Sequence, residues 1–207
     1  MYAAMAAGAL PMTTMANSPI SGMADEKELY EIRTYEAKFG GNKQLLKDYL
    51  TGVLGPSLKS LGVNRFMVLG ELGNSDPTNL WVIIGYPNGA TFLKAQNLQN
   101  EAAYKTSAAK YNALTQDQTL YNRFTSSLLL AFDGMPKMMD PIDGASLFEL
   151  RTYEGYSEDA VRRKIKMFNE GEIEIFMKTG LHPVFFGEMI IGPYRPCLTY
   201  MINFKDM

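Results

Sequence analysis

The sequence is poor in the residues that most often carry chemistry. Its 207 residues include one cysteine, Cys197, and one histidine, His182. A lone cysteine excludes an intrachain disulfide. One cysteine with one histidine also falls short of the ligands of an ordinary zinc site, leaving only carboxylate-rich arrangements. No apolar run reaches the roughly 18 residues a membrane-spanning helix needs. The 20 basic residues are balanced by 22 acidic ones and form no basic run, so there is no electrostatic footprint for nucleic acid. Neither a Walker-type phosphate loop nor a Gly-rich dinucleotide fingerprint occurs. What the chain has is apolar material: 46% hydrophobic and 12% aromatic residues, enough for one large or two small cored domains.

Residues 1–27 stand apart. Met1 to Ala16 is rich in Ala and Met and uncharged, and the first basic residue is Lys27. The stretch suits the apolar region of a secretory signal but lacks the positive flank that should precede it. Two readings stay open: a signal segment cropped at its start, which implies export to the periplasm or cell exterior, or a low-complexity tail on a cytoplasmic protein. Both leave residues 1–27 out of the fold.

The rest contains an internal repeat. Tyr30-Glu31-Ile32-Arg33-Thr34-Tyr35-Glu36 returns as Phe148-Glu149-Leu150-Arg151-Thr152-Tyr153-Glu154, 118 positions later. The same spacing pairs Gly62 with Gly180, Leu80 with Leu198, Ile84 with Ile202 and Tyr86 with Phe204. Gly70-Glu71 matches Gly187-Glu188 at 117, one residue out of step.

Each copy reads in the same order. In the first, strands are expected over 28–37, 65–72, 80–86 and 124–132. A helix is expected over 42–61, ended by Gly62 and bent by Pro56. A turn is expected at 73–77, and a second helical region over 89–114, capped by Asn88. In the second copy a strand over 147–153 precedes a helix capped by Ser157, then a hairpin over 184–191 and 198–204. The fold class is α+β: two tandem ferredoxin-like βαββαβ repeats forming an intrachain α+β barrel, the second repeat incomplete. The domain reading is 28–134 for the first unit, 135–145 for a linker and 146–207 for the second unit, cut short after its third strand. It implies a fragment, because stopping there leaves an open apolar sheet edge.

The twin motifs Glu31 to Glu36 and Glu149 to Glu154 resemble the opening motif of the NIPSNAP family. So do Gly180-Leu181-His182-Pro183-Val184-Phe185-Phe186-Gly187-Glu188 and the Ile191-Gly192-Pro193 that follows, while residues 126–136 resemble bacterial members. The resemblance implies tandem dimeric α+β barrel domains. It supplies no reaction, since the family includes interaction proteins and members without assigned activity, and relatives of the barrel include monooxygenases, isomerases and haem-dependent enzymes. The expected function is binding or interaction, through a polar barrel interior that holds a small anionic ligand. The alternative is a small-molecule enzyme of the monooxygenase or isomerase type. Apart from a haem-dependent version of that enzyme, neither reading calls for a cofactor or a metal; partners would be a small molecule, a protein or a second copy of the chain.

On the first strand the helices are expected to take the apolar side, Tyr30, Ile32 and Thr34, leaving Glu31, Arg33 and Tyr35 toward the lumen. The candidate ligand residues are therefore Arg33, Tyr35, Glu71, Arg151, Tyr153 and Glu188, with Trp81, Ile83, Thr199 and Met201 completing the lumen. The arginines suit a carboxylate; equally, they could pair with nearby glutamates and knit the two sheets together. His182 is added because it breaks the repeat, standing where the first copy has Asn64. Cys197 reads as a small buried hydrophobe, and Met135, Met138 and Met139 as linker packing.

Overall fold

A computed structural model describes residues 27–73 and 79–206. The segment 1–26 and most of the turn expected at 73–77 lie outside the described residues. The elements run β1 (Leu29–Ala37), α1 (Lys43–Tyr49), α2 (Gly55–Ser60), β2 (Arg65–Gly70), β3 (Leu80–Tyr86), α3 (Gly89–Ala95), α4 (Ala102–Ser107), α5 (Ala109–Asn112), β4 (Tyr121–Ala131), β5 (Leu147–Glu154), α6 (Glu158–Met167), α7 (Ile173–Lys178), β6 (His182–Ile191) and β7 (Cys197–Phe204). The fold is thus mixed α+β. Its strands form one curled antiparallel half-barrel sheet in the order β2-β3-β1-β4-β6-β7-β5.

That order restates the repeat. The first four strands lie β2-β3-β1-β4, and their equivalents β6, β7 and β5 follow in the matching sequence. β4 is the joint: it pairs with β1 on one side and with β6 on the other. Curling separates an inner face from an outer one. Inner side chains from both halves, including Tyr30, Ile32, Ile83, Leu129, Phe185 and Met201, make one buried cluster. Two helix layers cover the outer face, over Val82, Ile84 and Tyr86 in the first half and over Phe186, Leu198 and Tyr200 in the second.

The helices that follow β1, β3 and β5 each start at a side-chain cap. Asn42, Asn88 and Ser157 accept the backbone N–H of Leu45, Thr91 and Ala160, each satisfying a donor with no partner inside its own helix. Between α1 and α2 the helix widens into a π-turn at Leu50–Leu54. Pro56 is not its cause, because Phe168–Glu172 forms the same turn at the equivalent repeat position without a proline. In both turns the leading residue, Leu50 or Phe168, is buried, so the wider turn accompanies core packing. The region 89–114 is three short helices and a 3-10 turn rather than one helix.

Candidate functional site

The inner face does not fill. A cavity of about 710 Å³ lies in the mouth of the half-barrel, within the size range of small-molecule sites. Every strand contributes: Ile32 and Thr34 from β1, Leu69 from β2, Trp81 and Ile83 from β3, Thr125 and Ser127 from β4, Phe148, Leu150 and Thr152 from β5, Met189 from β6, Thr199 and Met201 from β7. Glu71 and Asn79 flank the β2–β3 side, and Pro193 and Tyr194 come from the β6–β7 turn.

Two layers can be read from the register. Ile32 lies opposite Ile83 and Ser127, and Leu150 opposite Met201, making a mostly apolar layer. One step along, Thr34 lies opposite Trp81 and Thr125, and Thr152 opposite Thr199, making a layer rich in hydroxyls. The Thr152 and Thr199 hydroxyls are 3.0 Å apart.

Glu71 is the one charged side chain among the described lining residues. Its Oε1 accepts from Trp81 Nε1 at 2.9 Å and Asn79 Nδ2 at 3.0 Å, and its Oε2 accepts from the Asn79 backbone N–H at 3.1 Å. Burial pushes this carboxyl up. The donations from Trp81 and Asn79, with the charge of Lys43, outweigh it and hold the carboxyl below its ordinary range. A carboxylate fixed in this way is a weak base and a good acceptor. A carboxylate has about four acceptor positions, and donors from the described residues fill three of them.

The structure corrects the expected facing of β1. Glu31, Arg33 and Tyr35 lie on the outer side, where Tyr35 packs with Leu46 and Leu50 of the helix layer. Thr34 and Ile32 face the lumen instead. Arg33 grips Glu31 of its own strand and lies over the Phe124 ring at 5.7 Å. Arg151 pairs likewise with Glu149 and donates to the Tyr200 hydroxyl at 3.2 Å, while Tyr153 stacks on Tyr200. Neither arginine bridges the two halves. His182 is exposed at the start of β6, where its carbonyl accepts from Asn203. Glu188 is half-buried on β6 beside the inward Met189. Of the seven candidates, only Glu71 lines the cavity; Trp81, Ile83, Thr199 and Met201 all do.

Of the lumen hydroxyls only Thr199 was expected; those of Thr34, Thr125, Ser127 and Thr152 escaped the sequence reading. Thr34 and Thr152 were visible as repeat partners inside the twin motifs, but the expected facing put them under the helices. Among the described residues no Lys or Arg side chain lines the cavity, so the arginines expected to hold an anionic ligand are not brought to it. Among the described residues, no three His, Cys, Asp or Glu side chains come together as a metal site would require.

No protein-family model and no curated protein matches the chain. Solved structures do. A protein of Fusobacterium nucleatum subsp. nucleatum, provisionally assigned as a monooxygenase, is similar over 88% of this chain and 77% of its own, at 12% identity and a TM-score of 0.56. A second, from Lactobacillus acidophilus and with the same provisional assignment, is similar over 87% of this chain and 78% of its own, at 10% identity and a TM-score of 0.54. At such identities the likeness is one of fold.

Proposed function

We propose that this chain is a small-molecule-binding protein of NIPSNAP type, whose lumen takes an uncharged, largely apolar molecule bearing a hydroxyl. The observation that carries this reading is Glu71, held by Trp81 and Asn79 as the one charged side chain among the described residues that line the cavity. The apolar layer takes the body of the ligand, the threonines take its oxygens, and Glu71 accepts its hydroxyl proton without removing it. Binding is favoured over proton-transfer chemistry because the one carboxylate present is held ionised and weakly basic.

Trp81 is the only tryptophan of the chain and lines the cavity, so its fluorescence reports occupancy. Titration with a panel of hydroxylated aromatics and their carboxylate analogues should show saturable quenching by the hydroxyl compounds, with carboxylates bound about tenfold more weakly or worse, a difference of ~1.4 kcal/mol. Equal or better binding of the carboxylates would sink the proposal.

A second reading, a small-molecule oxygenase, draws on the provisional assignment of the two similar barrels. It predicts oxygen consumption when a quenching ligand is bound; binding without turnover leaves the binding reading in place and removes this one.

A further inference from the structure

The strands give the cavity two unlike ends. β2, β1, β6 and β5 all run in one direction, each joined to the next through an antiparallel partner. Their C-terminal ends meet at one rim, which carries Glu71 just past β2, Thr152 late on β5, and Pro193 and Tyr194 just past β6. Along β5 the lining side chains change from Thr152 at this rim through Leu150 to Phe148 at the other. The strand from Phe148 to Thr152 spans about 13 Å. That is longer than a single phenol and close to two linked rings with a hydroxyl. We infer that the lumen measures its ligand lengthwise, taking a rod of about two aromatic rings with its hydroxyl capped by Tyr194 at the Glu71 rim and its far ring resting on Phe148. Length and direction are thereby added to the binding reading proposed above, on which both rest.

Tyr194 is set in place by the residue two before it. β4 and β6 stop pairing at Leu128 and Ile191, and Gly192 then lies against the lumen wall, where an added Cβ would meet Met189 Sδ at 2.5 Å and Ser127 Oγ at 2.8 Å. A side chain at this position would have to displace both atoms. Glycine lets the turn rest directly on two lining residues and bring Tyr194 to the cavity with it. Tyr194 is also 58% exposed, so its ring stands where lumen meets solvent. A tyrosine suits that place, with an apolar ring for the ligand and a polar tip for hydroxyl and water. At the other end Phe148 packs on the inner cluster that both halves share, which makes it a fixed stop.

The test titrates the full chain with phenol, 4-phenylphenol and biphenyl, followed by Trp81 fluorescence. 4-Phenylphenol should bind about tenfold tighter than phenol, through burial of its second ring, and about fivefold tighter than biphenyl, which has no hydroxyl. Phe148→Ala should weaken 4-phenylphenol about tenfold but phenol by less than about twofold. Phe148→Leu, which keeps most of the packing, should show the same bias at smaller size, so the outcome does not hang on whether the alanine variant folds. Tyr194→Ala should weaken both phenols alike, by about fivefold. Equal affinity for phenol and 4-phenylphenol, equal or tighter binding of biphenyl, equal loss of both phenols in the Phe148 variants, or wild-type affinities in Tyr194→Ala would overturn the inference and leave the binding reading standing. Failure of all three compounds to quench the wild type would overturn both.

Discussion

Arg33 reaches back along its own strand to hold both carboxylate oxygens of Glu31, Nε to Oε1 at 2.7 Å and Nη2 to Oε2 at 3.0 Å. Glu31 is buried and also accepts from the Tyr86 and Ser126 hydroxyls. Removing one partner of a buried pair strands the other charge, at about 3–5 kcal/mol. Glu31→Gln should therefore lower stability by about 3 kcal/mol. The twin change Glu149→Gln, at an exposed pair, should cost less than about 1 kcal/mol. Urea midpoints at unchanged slope check both; equal losses would mean that burial is not what separates the twins.

The same carboxylate sets an acid limit. Burial raises the Glu31 carboxyl, but the hydrogen bonds and charge of Arg33, with those of Ser126 and Tyr86, bring it below the ordinary carboxylate range. A group whose folded pKa is depressed adds stability that is whole above its unfolded value, about 4.3 for Glu. That stability is lost as pH falls through the folded value. The wild-type chain should therefore lose stability faster than Glu31→Gln below about pH 4. Parallel stability–pH curves for the two proteins would count against this assignment.

The repeat was readable because separated segments keep one spacing, and β3 was read at its observed ends, Leu80 and Tyr86. The faces of β1 were not. Tyr30 and Glu31 are both buried, so alternation does not tell inside from outside on this strand. Register does. β1 pairs with β3 so that Ile32 meets Ile83 and Thr34 meets Trp81, and cross-strand partners share a face. Placing Trp81 and Ile83 in the lumen therefore obliges Ile32 and Thr34 to be there too. The cavity itself had no local signature, because its lining comes from seven strands and only β1 and β5 share a motif. The π-turns had none either: Pro56 lies close to the first, but the second forms without a proline.

Trp81 ties the cavity wall to its charge. Trp81→Phe keeps an aromatic ring in the lining and removes the indole donor to Glu71. One lost hydrogen bond to a half-buried group should cost about 1 kcal/mol. With that donor gone, burial acts less opposed, and the Glu71 carboxyl should titrate at higher pH than in the wild type. Carboxyl-carbon NMR of Glu71 in the two proteins measures this directly. An unchanged titration would show that Asn79 and the charge of Lys43 hold the carboxylate without the indole.

The aligned Gly-Glu pairs of the two repeats, Gly70-Glu71 and Gly187-Glu188, should answer mutation in opposite ways. Gly187 lies opposite Ala131 at the β4–β6 joint, and an added Cβ would sit 2.8 Å from Leu129 Cβ and 3.1 Å from its Cδ2. Leu129 is fully buried in the cluster that both halves share, so it has little room to yield. Gly187→Ala must push β4 away from β6, and overpacking of this kind costs about 2 kcal/mol. Gly70, its twin, is exposed at the β2 edge and has open space where the Cβ would go. Gly70→Ala should be neutral or stabilising by up to ~1 kcal/mol, since it reduces the freedom of the unfolded chain. Denaturation of the two variants side by side decides the matter: a loss at Gly70 comparable to that at Gly187 would mean that the β2 edge is already covered in solution.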